Sequence, residues 1–173
     1  MINTHNGIKS KGIPPINVND YPAIKKHLDK YWDKISKRDD KGDTPYNLRN
    51  CIYTDLFLEQ KIIYPCIMTK GPTYALDSKG EFFVVAPGNI ITGNHLNYLN
   101  DCLNSKIFYF ALRKFYMGGG IEGELKTNRL LILPIPLPKQ KNIETNDQKL
   151  KHILSLTDTE INYIDNEYKK FFR

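Results

Sequence analysis

Cysteine is scarce in this sequence. Cys51, Cys66 and Cys102 stand far apart with no CxxC pair, which argues against a disulfide framework and a structural zinc site and leaves reduced core thiols as the expectation. Long apolar runs are missing too. The stretches at 62–68 and 130–137 are far too short to span a bilayer, and residues 1–20 are polar and proline-containing rather than signal-like, so a cytoplasmic protein is expected. No internal repeat or low-complexity tract is present. His5, His27, His95 and His152 are scattered without ligand spacing or a nearby nucleophile, so neither a metal site nor a catalytic triad is read from them.

What is present is enough apolar material for a real core: 173 residues, 40% hydrophobic and 12% aromatic. The net charge of +6 is unevenly spread. Residues 1–50 carry ten Lys/Arg against six Asp/Glu, and residues 101–141 carry seven against three, while the segments between and after them are each near −1. Two basic segments of this kind permit a phosphate-binding face, although a solvated surface gives the same count.

Hydrophobic periodicity places the elements. Asp20 is a candidate cap for a helix beginning at Tyr21 and Pro22, in which Ile24, Leu28, Tyr31, Trp32 and Ile35 form one buried stripe to about residue 36. Lys26, Lys30, Lys34 and Lys37 line another face, which reads either as solvated or as a phosphate-facing ridge. Residues 38–45, RDDKGDTP, make an exposed loop. Strands are expected at 61–68, 73–77 and 81–86, the last two joined by a turn at 77–80, with Pro65 marking the first as an edge or bulged strand. Helices follow at about 95–103 and 105–116, divided at Asn104 and Ser105. A further strand at 130–135 ends in Pro134, Pro136 and Pro138; residues 139–147 read as a polar linker, and Thr157 with Glu160 forms a capping box for a final packed helix. The fold class expected is α+β, a mixed or mostly antiparallel sheet packed by helices, with a helical C-terminal extension.

Motifs that would carry catalysis are weak. Gly118–Gly123 satisfies G-x-G-x-x-G and Glu144 lies at about the right distance for a ribose contact, but the run follows a helix and precedes a polar stretch, whereas a dinucleotide fingerprint follows a strand and opens a helix. A flexible loop that lets backbone approach a DNA strand is the preferred reading. Asp43, Glu59 and Lys61 can be arranged as the D…E-x-K of a Mg²⁺-dependent nuclease, at loose spacing, and Lys61 reads equally as the start of a strand. Thr44-Pro45-Tyr46 lacks the Asn/Asp-Pro-Pro of an adenine methyltransferase loop and reads as a turn. Binding therefore outranks catalysis, and no catalytic, cofactor or metal residue is assigned.

Several segments, taken in order, resemble the TaqI-type C-terminal specificity domain of adenine-specific DNA methyltransferases and type IIG restriction enzymes. They are NTHNG at 3–7, DYPAIKKHLDKYWDKI at 20–35, KRDDKGDTPYNLRNC at 37–51, QKIIYP at 60–65, LNSKIFYF at 103–110, YMGGG at 116–120 and LPIPLP at 133–138, with LSLTDTEINYID at 154–165 similar to the closing helix of such enzymes. The resemblance implies a target-recognition domain over 1–138, lacking its N-terminal part, followed by a linker and C-terminal helix over 139–173. It implies double-stranded DNA and the methyltransferase domain of a parent chain as partners. S-adenosylmethionine, with Mg²⁺ where the parent cleaves DNA, belongs to that parent.

Arg and Lys side chains would meet phosphates and guanine edges, and Asn or Gln would read adenine. The residues singled out are Arg38, Lys41, Thr44, Tyr46 and Arg49 in the first basic segment, then Lys70, Tyr74, Lys126, Asn128 and Arg129. A nuclease using Glu59 and Lys61 is the alternative, and a module that only docks on the methyltransferase domain is a third.

Overall fold

The computed structural model describes residues 2–49, 54–118, 120–138 and 145–172, and the chain divides into two compact units, Met1–Thr54 and Asp55–Arg173. Cys51, Gly119, Glu144 and the 139–144 part of the expected linker lie outside the described residues. Helices dominate and the sheet is small and antiparallel, an α+β fold with a helical C-terminal end. Among the described residues no helix is long and apolar enough to cross a membrane.

In the first unit the expected helix over 21–36 is two shorter pieces, α1 Pro22–Asp29 and α2 Trp32–Ile35. Tyr31 N–H bonds Leu28 O at 2.9 Å, three residues back rather than four, which tightens the turn and separates them. Asp20 does not cap α1; it closes a 3₁₀ turn, Val18–Asp20, and accepts from Asn17 Nδ2 at 3.3 Å. The apolar stripe is only half-covered, with Tyr31 and Trp32 left 46% and 43% exposed. The reason is that this unit has almost no apolar interior. Val18 is its single buried hydrophobic among the described residues, and its most buried side chain is Asn47.

The second unit holds the core. β1 Lys61–Pro65 is central, flanked by β2 Ala75–Asp77 and β3 Gly88–Ile91, both antiparallel to it. Pro65 thus ends a central strand rather than lying on an edge. Its missing N–H does no harm there, because β2 reaches only Ile63 and Pro65 faces a single neighbour, Gly88. Ile62 and Tyr64 point to the core; Lys61 and Ile63, by the two-residue period, share the opposite face.

The expected strand at 81–86 is absent. The Asp77 carboxylate accepts from Glu81 N at 3.1 Å and Phe82 N at 2.9 Å, so these amides are satisfied by a side chain and do not enter a ladder. The third strand forms beyond it, after the cis Ala86-Pro87 bond. Likewise 130–135 is not a strand. A short helix, introduced below, reaches Leu130, and Pro134, Pro136 and Pro138 beyond it have no N–H to offer a sheet.

α3 Leu96–Asn104 and α4 Lys106–Ala111 meet at Ser105, whose hydroxyl accepts from Phe108 N at 3.2 Å as an N-cap, and α4 runs into a π-helical turn, Leu112–Tyr116. α5 Thr127–Leu130 is a single turn. α6 Asp147–Ile153 was not foreseen; Asn146 caps it through Lys149 N at 2.9 Å. α7 Asp158–Lys170 begins with the expected Thr157–Glu160 capping box. Its end packs Tyr168, Phe171 and Phe172 around the fully buried Tyr109. Cys102 is buried between these layers, and burial pushes its thiol up to about 11, while Cys66 is half-buried.

Lys61 is fully buried and its ammonium donates to Asp77, to Phe57 O at 2.7 Å and toward Glu59 O. Burial alone would raise the Asp77 carboxyl, but Lys61 and the amides of Phe82 and Glu81 outweigh it and hold it far below the carboxylate range. Such a group stabilises fully above the unfolded value of about 4 and loses that contribution as pH falls toward its folded value. We predict that Asp77→Asn lowers Tm by on the order of 10 °C, because it strands a buried ammonium. A Lys61→Met/Asp77→Leu double variant recovers part of the loss and is less acid-sensitive than the wild type. Thermal melts from pH 3 to pH 7 check both; a wild-type-like melt for Asp77→Asn would refute the role.

Candidate nucleic-acid interface

In the first unit, residues 36–49 form a loop closed on itself and tied to the N-terminal residues. Lys41 and Leu48 bridge in antiparallel fashion, Leu48 N bonds Thr4 O at 2.8 Å, and the Thr4 hydroxyl donates to Tyr46 O at 2.6 Å. Asn6 repeats the device on the outside, accepting from Asp43 N at 2.7 Å and donating to the Asp43 carboxylate at 2.9 Å. Asn47 sits at the centre: it accepts from the Thr44 hydroxyl at 2.6 Å and donates to Ile16 O at 2.9 Å and to His5 O at 3.4 Å. A buried amide with its capacity met from three directions fixes the loop much as an apolar residue would fix a core.

This arrangement sorts the residues singled out in the first segment. Arg38 turns inward, and its guanidinium donates to Pro45 O at 3.3 Å and to Asn47 O. Tyr46 is half-buried, tilted at 40° against Trp32 with ring centroids 5.3 Å apart, its hydroxyl donating to Asp29 at 2.5 Å and the Lys25 ammonium lying 5.4 Å from its ring centre. Lys25, and then Tyr46, hold the Asp29 carboxyl below its usual range, and the same bond raises the Tyr46 phenol. Lys41, Thr44 and Arg49 remain on the exposed rim, Lys41 reaching back to Ser36 O at 3.2 Å.

In the second unit, residues 66–68 pair with 123–125: Ile67 bridges Glu124, Met68 N bonds Gly123 O at 2.9 Å, and Leu125 N bonds Cys66 O at 2.8 Å. Gly123 adopts φ +73°, and a Cβ there would stand 2.8 Å from Met68 O, so only glycine allows this approach. Lys70 and Lys126 leave opposite ends of this pairing, both exposed. Lys126, Asn128 and Arg129 come together around α5, with Lys126 3.9 Å from Glu124. Tyr74 does not belong to any such surface. It is 6% exposed, packed against Tyr64 at 5.5 Å inside the core, and its hydroxyl has no hydrogen-bond partner. It stands just before β2, and Asn104, thirty residues away, holds its backbone by accepting from Tyr74 N at 3.2 Å and donating to Tyr74 O at 2.9 Å.

The nuclease constellation does not assemble around Lys61. Its ammonium is fully enclosed and held by Asp77, whereas Glu59 is exposed, so the lysine has no access to an attacking water. Among the described residues, no three His, Cys, Asp or Glu stand together as a metal site. The described part of the glycine run follows the π-helical turn and enters the Ile67–Glu124 bridge rather than opening a helix, so it makes no cradle for a nucleotide cofactor. Comparison with family models, with curated proteins and with solved structures found no match.

Two outcomes follow from this sorting. Arg38→Ala destabilises the first unit by about 2 kcal/mol and raises hydrogen exchange at Asn47 and Leu48, since two carbonyls lose a charged donor. Unchanged exchange there would show that the brace is idle. Tyr74→Phe removes a hydroxyl that is buried without a partner, so Tm stays level or rises by about 2–4 °C. A fall in Tm would mean that the hydroxyl is satisfied.

Proposed function

We propose that this chain recognises a short sequence in duplex DNA as the target-recognition part of a restriction–modification adenine methyltransferase of the TaqI-type, type IIG-like kind. Support comes first from the ordered resemblance across residues 3–138. The observation that carries the reading is how residues 37–51 of that resemblance are built where they are described. Arg38 and Asn47 brace the loop from within, and Lys41, Thr44 and Arg49 stand on its exposed rim, Lys41 in the bridge to Leu48 and Thr44 accepting from Asn47 N.

Such a rim suits base reading, because a side chain on a rigid frame loses little freedom when it meets a base edge or phosphate. Arg49 and Lys41 supply cationic donors for guanine edges and phosphates, while the Thr44 hydroxyl, given to Asn47, leaves only its acceptor lone pairs to offer. In the second unit, Asn128 and Arg129 on α5 offer an amide and a guanidinium of the same kind. The partners are double-stranded DNA and the methyltransferase domain of the parent chain. Methyl transfer from S-adenosylmethionine is assigned to that domain, and no residue of this chain is given a part in it.

The test is binding of the purified full chain to a randomised duplex library, followed by affinity measurements on the enriched and a scrambled site. Lys41→Ala/Arg49→Ala is expected to weaken the enriched site about tenfold or more, at about 1–3 kcal/mol per lost base contact, and to affect the scrambled duplex less. A wild-type chain that enriches no sequence would remove the reading, and salt-independent failure to bind any duplex would favour a purely protein-docking module.

A further inference from the structure

Some cations of this chain are answered by carboxylates: Lys25 pairs with Asp29, Lys61 with Asp77, Lys106 with Asp165, Lys114 and Lys170 with Glu167, Lys151 with Asp158, and Arg113 with Glu122. Lys26, Lys30, Lys34 and Lys37, close together in the chain, are all exposed, and none has an ion-pair partner among the described residues. They recur every three or four residues over 26–37, Lys26 within α1, Lys30 at its C-cap, Lys34 within α2 and Lys37 just beyond it, at exposed positions that alternate with the half-covered Ile24, Leu28 and Ile35. Asp33, four residues before Lys37, is positioned to pair but forms no ion pair with it in the structure.

Lining up like charges at this spacing costs a helix about 0.2–0.5 kcal/mol per pair, in a unit that has little apolar core to offset it. A polyanion laid along the face reverses the sign of that term. The break at Tyr31 also matters, because the tight turn between α1 and α2 is held by backbone bonds from Tyr31 to Leu28 and from Lys34 to Tyr31, each 2.9 Å. The backbone that joins the two pairs of lysines is therefore held in place. We infer that Lys26, Lys30, Lys34 and Lys37 form a phosphate-tracking ridge that binds the backbone of duplex DNA without regard to sequence, separate from the loop rim that reads bases. This rests on the proposed recognition of DNA and assigns a second, electrostatic surface to it.

The test uses the full chain, a random-sequence duplex and affinities measured across salt concentration. Replacing all four lysines by glutamine should make the slope of log affinity against log salt shallower by about 3–4, since each phosphate neutralised contributes about 0.9. It should leave the ratio of affinities for enriched and scrambled sites unchanged. The control removes the same charge elsewhere, with Lys79, Lys151, Lys169 and Lys170 changed to glutamine, and should move the slope by less than about 1. Tm of the ridge variant should equal or exceed that of the wild type, which separates lost binding from lost folding. An unchanged slope, or equal shifts in ridge and control variants, overturns the ridge while leaving DNA recognition in place. A wild-type chain that binds no duplex overturns both.

Discussion

An ammonium group without water shapes the second unit. Lys61 opens the central strand, and its charge is tolerable in the interior only because Asp77, at the end of the neighbouring strand, is directly across from it. The same carboxylate holds the amides of Glu81 and Phe82, so one side chain fixes a strand register and turns the following segment away from the sheet. Shifting that register by one residue would place Lys61 opposite Leu76 or Ser78, neither of which carries a charge to answer it. The pair therefore excludes wrong pairings more than it adds stability, and the apolar layer of Ile62, Tyr64, Leu103, Tyr109 and Leu112 is assembled on a sheet whose alignment is already set.

The first unit reaches the same end by other means. With Val18 as its only buried hydrophobic among the described residues, it relies on Thr4, Asn6, Arg38 and Asn47, whose hydrogen bonds join positions up to 42 residues apart. Polar cores of this kind are directional. They tolerate few substitutions at the donors and acceptors themselves, and the exposed Thr44 is one of those donors.

Local chemistry was legible in the sequence where a few adjacent residues decide the outcome. The Thr157–Glu160 box, the division of the helices at Ser105 and the opening of a strand at Lys61 are all of that sort. Reading failed where a distant partner intervened. Residues 81–86 have the aromatic and β-branched content of a strand, but Asp77 takes their first amides; the stripe on α1 and α2 has the helical period but is only half-covered. At the candidate site, Lys41, Thr44 and Arg49 lie on the surface as their polarity suggests, while Arg38, Tyr46 and Tyr74 do not differ from them in composition or spacing. Their placement depends on Asn47, on Asp29 and on Asn104, none of which sequence proximity reveals.

The inward brace of the 36–49 loop has one more consequence. Because Arg38 and Asn47 carry its shape, with the Thr44 hydroxyl as one of the bracing donors and Lys41 reaching back to Ser36, the positions on the perimeter are not equivalent. An exchange at 49 alters what the surface offers and leaves those bonds intact, whereas one at 44 removes a strut.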